Sequence, residues 1–230
     1  HNRVRRQRQM CIRDRDEIFR ILSIARKWPN CIVIADEIYD GLDFTGEHRS
    51  VASLSPDVPV FVLNGVSKVY YAPGWRIGYL GIHDPKGRLV SIRDGIERLL
   101  RSRLCASTPA QMGYLAGLDG DRSWMKSYSD KIKRQRDLCV KRINSIEGLE
   151  VQSSGGAFYM FIKLTDEQWQ QNDKDFVLKL LHEEHVLVVH GSGFSPDLGG
   201  GHFRLVYLPD VDILNEAFNR IERFLLRHRT

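Results

Sequence analysis

The 230-residue chain is 42% hydrophobic and 27% charged, an ordinary globular balance that suits one large domain or two smaller ones and excludes a low-complexity polymer. Its net charge of +5 owes much to the opening residues, where Arg3, Arg5, Arg6 and Arg8 stand without an acid; beyond them acids and bases are interspersed, so no nucleic-acid partner is expected. Cys11, Cys31, Cys105 and Cys139 lie far apart without zinc-site spacing, and no apolar run or signal-like start points to a membrane or export, so the expectation is a cytoplasmic chain with reduced thiols, no metal and no membrane partner.

The predicted elements begin with an amphipathic helix over residues 14–27, where Ile18, Ile21, Leu22 and Ala25 recur at helical spacing ahead of Pro29. A short β-branched run at 31–35 follows and reads as a strand buried on both faces of a parallel sheet. Residues 59–63 repeat that pattern, and a third apolar piece spans 77–82. The chain then turns helical near 88–103, 109–118 and 123–145, the last long enough to link two domains. From Gly148 the rhythm changes to strands near 149–152, 157–164, 186–190 and 203–208, with helices at 173–184 and 210–227. Leu214, Phe218, Ile221 and Leu225 lie on the apolar stripe of that final helix. The expectation is an α/β portion with a mostly parallel sheet over residues 14–125, then a smaller α+β domain over 126–230. Residues 1–13 are set apart as a basic arm, disordered or foreign to the natural gene product.

Polar chemistry follows each of the first two strands: Asp36-Glu37-Ile38-Tyr39 after one, Asn64-Gly65-Val66-Ser67-Lys68 after the other. In open α/β sheets, ligands bind beyond the carboxyl ends of the strands. A lysine beside a buried strand is costly to desolvate, which singles out Lys68. Ser67, Lys68 and Arg76 place a hydroxyl, an amine and a guanidinium in one glycine-punctuated loop, a set that suits a phosphate beside a carbonyl. A solvated lysine and a structural arginine fit the same spacing. Asp36 adds a carboxylate able to keep a ring nitrogen protonated, which turns a pyridinium into an electron sink. Alone, Asp36-Glu37 is equally compatible with a magnesium site or a helix N-cap, and Tyr39 with packing. Together these groups fit few ligands besides pyridoxal 5'-phosphate (PLP).

Two glycine tracts, 191–193 and 199–201, lack the spacing of a phosphate-binding loop and read as flexible turns. His190, ending a strand, reads as a packed or hydrogen-bonded residue rather than a site residue.

At this point a resemblance becomes specific. Asp36-Glu37-Ile38-Tyr39, Asn64-Gly65-Val66-Ser67-Lys68 and Pro73-Gly74-Trp75-Arg76-Ile77-Gly78 resemble the signature of fold-type I PLP-dependent aminotransferases, class I/II, over residues 14–227. Glu47-His48, Thr108-Pro109-Ala110-Gln111, Gly155-Gly156-Ala157-Phe158-Tyr159, the Val189–Phe194 segment and His202-Phe203-Arg204-Leu205 bring it nearest to the alanine aminotransferase-like branch.

The resemblance implies an aspartate aminotransferase-like fold and transamination between an L-amino acid, alanine or glutamate, and a 2-oxo acid, pyruvate or 2-oxoglutarate. It implies that Lys68 attacks the cofactor's aldehyde as nucleophile and, once released, shuttles the proton between substrate Cα and cofactor C4′ as general base. Asp36 would pair with the pyridinium nitrogen, Tyr39 would hydrogen-bond the phenolic oxygen, and Ser67 and Arg76 would hold the phosphate. Arg204 would grip the substrate α-carboxylate, although a salt bridge to a neighbouring acid is the other ordinary use of an arginine in a strand. A homodimer is also implied. The family's N-terminal portion, with a glycine-rich phosphate loop, a ring-stacking aromatic and an asparagine, has no counterpart here. The chain by itself is therefore expected to be incomplete as an enzyme and to expose apolar sheet edges and faces. Two readings stand beside the enzyme: an aminotransferase-like ligand-sensing domain of a transcription regulator, and a catalytically silent fragment.

Overall fold

Ile18, Leu22 and Ala25 are spaced by four and three residues, which puts them on one side of a helix and leaves the polar residues between them to solvent. In the computed structural model, which describes residues 15–229, that helix is α1 (Arg15–Ala25), and its stripe packs on Val58 with Cys31, Val33, Val51 and Leu54. Beyond α1 the chain is pinned by a two-pronged ion pair, Arg26 Nε and Nη2 donating to Asp57 at 2.7 and 2.8 Å. The expectation for residues 1–13 lies outside the described residues.

The chain divides into two compact units, meeting in sequence at Ser127 and Tyr128. The first holds a three-stranded sheet of β1 (Val33–Asp36), β2 (Val60–Gly65) and β3 (Gly78–His83), in that order. β1 runs parallel to β2, with Val33 opposite Val60 and Asp36 opposite Leu63. β3 runs antiparallel to β2, from Val60 opposite His83 to Gly65 opposite Gly78. The β2–β3 connection has no crossover helix, and without one a strand can return only antiparallel. Contrary to the reading of strands buried on both faces, Ile34 is 66% exposed while its neighbour Ala35 is buried, because among the described residues nothing covers that face.

The Asp84 carboxylate accepts hydrogen bonds from the Arg88 and Leu89 amides ahead of α2 (Val90–Arg103). The Leu89 bond in particular holds the Asp84 carboxyl below its ordinary range. α3 (Thr108–Asp119) follows, and α4 (Trp124–Ser145) passes the boundary between the units.

In the second unit β4 (Leu149–Glu150), β5 (Tyr159–Leu164), β6 (Val189–His190) and β7 (His202–Val206) form an antiparallel sheet in the order β4-β5-β7-β6. The alternation expected of a half-covered sheet is plain: Met160, Ile162 and Leu164 are buried, and Phe203 and Leu205 share their face. α6 (Asp173–Glu184) and α7 (Val211–Arg227) supply Phe176, Leu180, Phe218, Ile221 and Phe224 to this core. Phe176 lies 5.3 to 5.5 Å from the Phe203, Trp169 and Phe224 rings. Trp169 comes from α5 (Glu167–Gln170), capped by Asp166, whose carboxylate accepts the Gln168 amide at 3.0 Å.

Glu184, only 3% exposed, ends α6 and receives hydrogen bonds from Arg223 and Arg227 of α7, so charge pairing reinforces apolar packing between these helices. The Arg223 hydrogen bond, with the charges of Arg223 and Arg227, holds the Glu184 carboxyl below the usual range. Its stabilisation is therefore complete above the unfolded value of about 4.3 and is lost as pH falls through the lower folded value. Acid unfolding followed by circular dichroism should show the wild type losing stability as pH falls below about 4.3, and Glu184→Gln changing less over the same range. Parallel curves for the two proteins would remove Glu184 as the responsible group.

Candidate active site

Because β1 and β2 are parallel, their carboxyl ends point the same way, and the segments that leave them emerge side by side. Asp36 ends β1, exposed, with its carboxylate accepting the Ile38 amide at 3.3 Å. The Glu37 amide donates to Leu63 O at 2.9 Å and extends the pairing one residue beyond the strand. Lys68 leaves β2 three residues past its end, and its Nζ lies 5.9 Å from the centroid of the Tyr39 ring. The structure thus brings Lys68 and Tyr39 together and sets Asp36 at the same end of the sheet.

Ser67 and Arg76 share the 66–77 connection with Lys68. Two non-glycine residues in it, Tyr71 and Arg76, adopt left-handed backbone with φ of 53° each. Such conformations cost free energy and persist only where the surroundings enforce them. Arg76 closes the Pro73–Trp75 3-10 turn and donates Nη1 to Pro73 O at 2.8 Å. The neck of the connection is pinched between Gly65 and Gly78. A Cβ at Gly65 would meet Ile77 O at 2.7 Å, and one at Gly78 would meet Asn64 O at 2.5 Å.

Behind the loop, α3 offers glycine where the loop's rings need room. A Cβ at Gly113 would meet the Trp75 indole at 2.7 Å, and one at Gly117 the Tyr70 ring at 3.1 Å. Tyr70 donates its hydroxyl to Gly117 O at 3.1 Å and meets the Tyr114 ring edge-on at 5.7 Å. Burial pushes the Tyr114 hydroxyl up to about 12, so it stays protonated at neutral pH.

Two acids hold the segment after Tyr39. Glu37 accepts Ser50 Oγ at 3.0 Å and the Val51 amide at 2.8 Å. Asp43 accepts Thr45 Oγ1 at 2.6 Å and the His48 amide at 2.7 Å; burial would raise its carboxyl, and these hydrogen bonds outweigh burial and hold it low.

Arg204 belongs to the other unit and is described there alone. It lies on β7, on the sheet face opposite the core, paired with Phe161 and Val189. Its guanidinium carbon sits 4.8 Å from the Tyr159 ring centroid and 4.5 Å from that of Phe194. Among the described residues it makes no ion pair, and its buried Nε has no hydrogen-bond partner. The salt-bridge use of this arginine is therefore absent among them. A buried donor left unsatisfied is expensive, and that cost disappears when an anion arrives.

The glycine tracts are not loose turns. Gly191 and Gly199 meet backbone to backbone with no room for a Cβ on either, and Asp173 fixes the turn by accepting the Ser192 amide at 2.7 Å and Oγ at 2.9 Å. His190 Nδ1 accepts the Gly193 amide at 3.1 Å, a hydrogen-bonded role as read from the sequence. Phe194 and Tyr159, which stood only within motifs in the sequence, emerge as the rings around Arg204. Their separation along the chain hid that cluster, although strand alternation assigns Tyr159 to the Arg204 face.

Residues 12–221 match the family described as Aminotransferase class I and II. The chain belongs to that family. Among similar aminotransferases is the glutamate-pyruvate aminotransferase AlaA of Haemophilus influenzae, 38% identical over 216 residues that cover 91% of this chain and 52% of that protein. An alanine aminotransferase of Mycobacterium tuberculosis is 36% identical, over 91% of this chain and 49% of its own length. The solved alanine aminotransferase from Pyrococcus furiosus superposes with a TM-score of 0.91 at 48% identity, over 95% of this chain and 55% of that one. The chain thus spans about half the length of the curated aminotransferases it matches. Its architecture is that of the fold-type I aminotransferases, a family whose members depend on PLP.

Replacing Gly78 with alanine sets a Cβ against backbone on the facing strand, where no side chain can swing aside. We expect Gly78→Ala to lose about 1–3 kcal/mol, the usual cost of overpacking, in urea unfolding of the protein. Unchanged stability would show the neck to be more compliant than its geometry implies.

Proposed function

We propose that this chain carries the lysine-bearing part of the large domain, residues 14–125, and the C-terminal domain, residues 126–230, of a PLP-dependent aminotransferase. The reaction is amino-group exchange between alanine or glutamate and pyruvate or 2-oxoglutarate, a choice supported by relatives named glutamate-pyruvate and alanine aminotransferases. One observation carries the reading: Asp36 ends one of two neighbouring parallel strands and Lys68 follows the other, with the Tyr39 ring 5.9 Å from the Lys68 amine.

When bound, PLP supplies an aldehyde carbon and an electron-withdrawing ring. The donor set suits it, with an amine, a hydroxyl and a guanidinium on one loop and an exposed carboxylate at the neighbouring strand end. In this reading Lys68 would hold the cofactor through its amine and, once the substrate amine displaces it, would act as general base on the substrate Cα proton. Asp36 keeps the ring nitrogen protonated, and Tyr39 donates its hydroxyl to the phenolic oxygen. Ser67 and Arg76 donate to the phosphate. Arg204 gives two parallel hydrogen bonds to the substrate α-carboxylate, with the Tyr159 and Phe194 rings packed against its guanidinium.

The reading extends to a cytoplasmic homodimer. Apolar side chains exposed on α2 and α3, Leu99, Leu100 and Met112 among them, support the dimer, and the free thiols of Cys31, Cys105 and Cys139 suit a reducing compartment.

Incubation with PLP, hydride reduction and peptide mapping should place a phosphopyridoxyl group on Lys68, and Lys68→Ala should carry none. Labelling of a different lysine at equal yield would sink the assignment. Arg204→Lys should bind L-alanine about ten- to a hundredfold more weakly, the value of charge-assisted hydrogen bonds that a point charge cannot form in parallel. Titration calorimetry on the PLP-loaded protein measures it, and unchanged affinity would mean that another group holds the carboxylate.

A further inference from the structure

A side-chain bridge joins the segment carrying Tyr39 to the strand leading to Lys68. Asn64, near the end of β2, donates Nδ2 to Asp40 Oδ2 at 3.0 Å across 24 residues of sequence. Both side chains are also held by their own backbones. Asn64 Oδ1 accepts the Gly65 amide at 2.7 Å, and Asp40 Oδ1 accepts the Gly41 amide at 2.7 Å. The Asp40 amide in turn donates to Glu37 O at 3.0 Å, and the Leu42 amide to Tyr39 O at 2.8 Å. Every polar atom in the bridge thus has a fixed partner, and such a network specifies geometry because no member can turn without stranding another. The room is limited as well: a Cβ at Gly41 would meet the Val69 side chain at 2.7 Å, next to Lys68.

We propose that Asn64 and Asp40 are positioning residues whose hydrogen bond ties the Tyr39 segment to the Lys68 strand and so sets the Tyr39 ring beside the Lys68 amine. The inference rests on the proposed cofactor role of Tyr39 and Lys68. Neither Asn64 nor Asp40 touches the reacting atoms in this account. Their effect passes through Tyr39, whose hydroxyl must keep its place to stabilise the deprotonated phenolic oxygen of the cofactor. Charged and titratable groups around the bridge include Glu37, Tyr79, Tyr114 and Arg122; the Tyr79 phenol is raised by burial and then by the Asp40 and Glu37 carboxylates, against a hydrogen bond from the Asn64 side chain.

The test is the pH midpoint of the visible cofactor absorbance in the PLP-loaded protein, which reads the hydrogen bond to the phenolic oxygen rather than turnover. Tyr39→Phe removes that bond and should move the midpoint upward. Asn64→Asp places two carboxylates face to face and should move it the same way, and Asn64→Ala, which breaks the bridge without repulsion, should move it by a smaller step. The exchanged pair Asp40→Asn/Asn64→Asp restores the bridge and both glycine contacts with the donor reversed, since Asn at position 40 can donate to the new Asp while each side chain still accepts its glycine amide, and the new Asp can accept the Tyr79 hydroxyl. It should return the midpoint to the wild-type value. If Tyr39→Phe leaves the midpoint in place, the role of Tyr39 fails and the inference with it. If Tyr39→Phe shifts the midpoint while the Asn64 variants do not, or the exchanged pair fails to restore it, the positioning role alone is overturned.

Discussion

Parallel pairing of β1 with β2 is the constraint on which the candidate site depends. Parallel strands lead their chains out on the same side, so a carboxylate ending one and a lysine following the other share a neighbourhood without any dedicated contact between them. The register sets the depth: Asp36 stands opposite Leu63, and the lysine loop opens just beyond that pair. Antiparallel pairing would have sent the two groups to opposite ends of the sheet.

The second unit meets a different demand with a simpler device. Alternation along β5 and β7 sends Met160, Ile162, Phe203 and Leu205 into an aromatic core and leaves the other face to Tyr159 and Arg204. The same packing that stabilises the domain therefore fixes the strand from which the guanidinium projects. Two rings, with centroids 4.8 and 4.5 Å from the guanidinium carbon, pack against it without taking up its hydrogen-bond donors, which leaves directional hydrogen bonding for an anion.

Much of this was legible in the sequence because it rests on local periodicity and on residue types that are expensive to place. α1, α6 and α7 follow from apolar spacing, and the lysine loop from a cation next to an apolar strand. The direction of β3 was not legible, since apolar content marks a strand but not its sense. α5, with four residues, is too short to show a period. The Gly191–Gly199 contact looked like slack because glycine signals both freedom and close approach, and only the fold shows which one applies. The Asn64–Asp40 bridge and the rings around Arg204 join residues far apart in the chain, a relation that no local pattern encodes.

The Gly65–Gly78 neck has a consequence for how this loop can change over generations. Its fit is made by main chain against main chain, so there is no side chain whose replacement could loosen or tighten it by degrees. Variation is thereby steered toward the tip, where residues can be exchanged or added, while the two strand ends stay in step. Anyone transplanting the loop onto another sheet would have to move both glycines and their pairing register as one part.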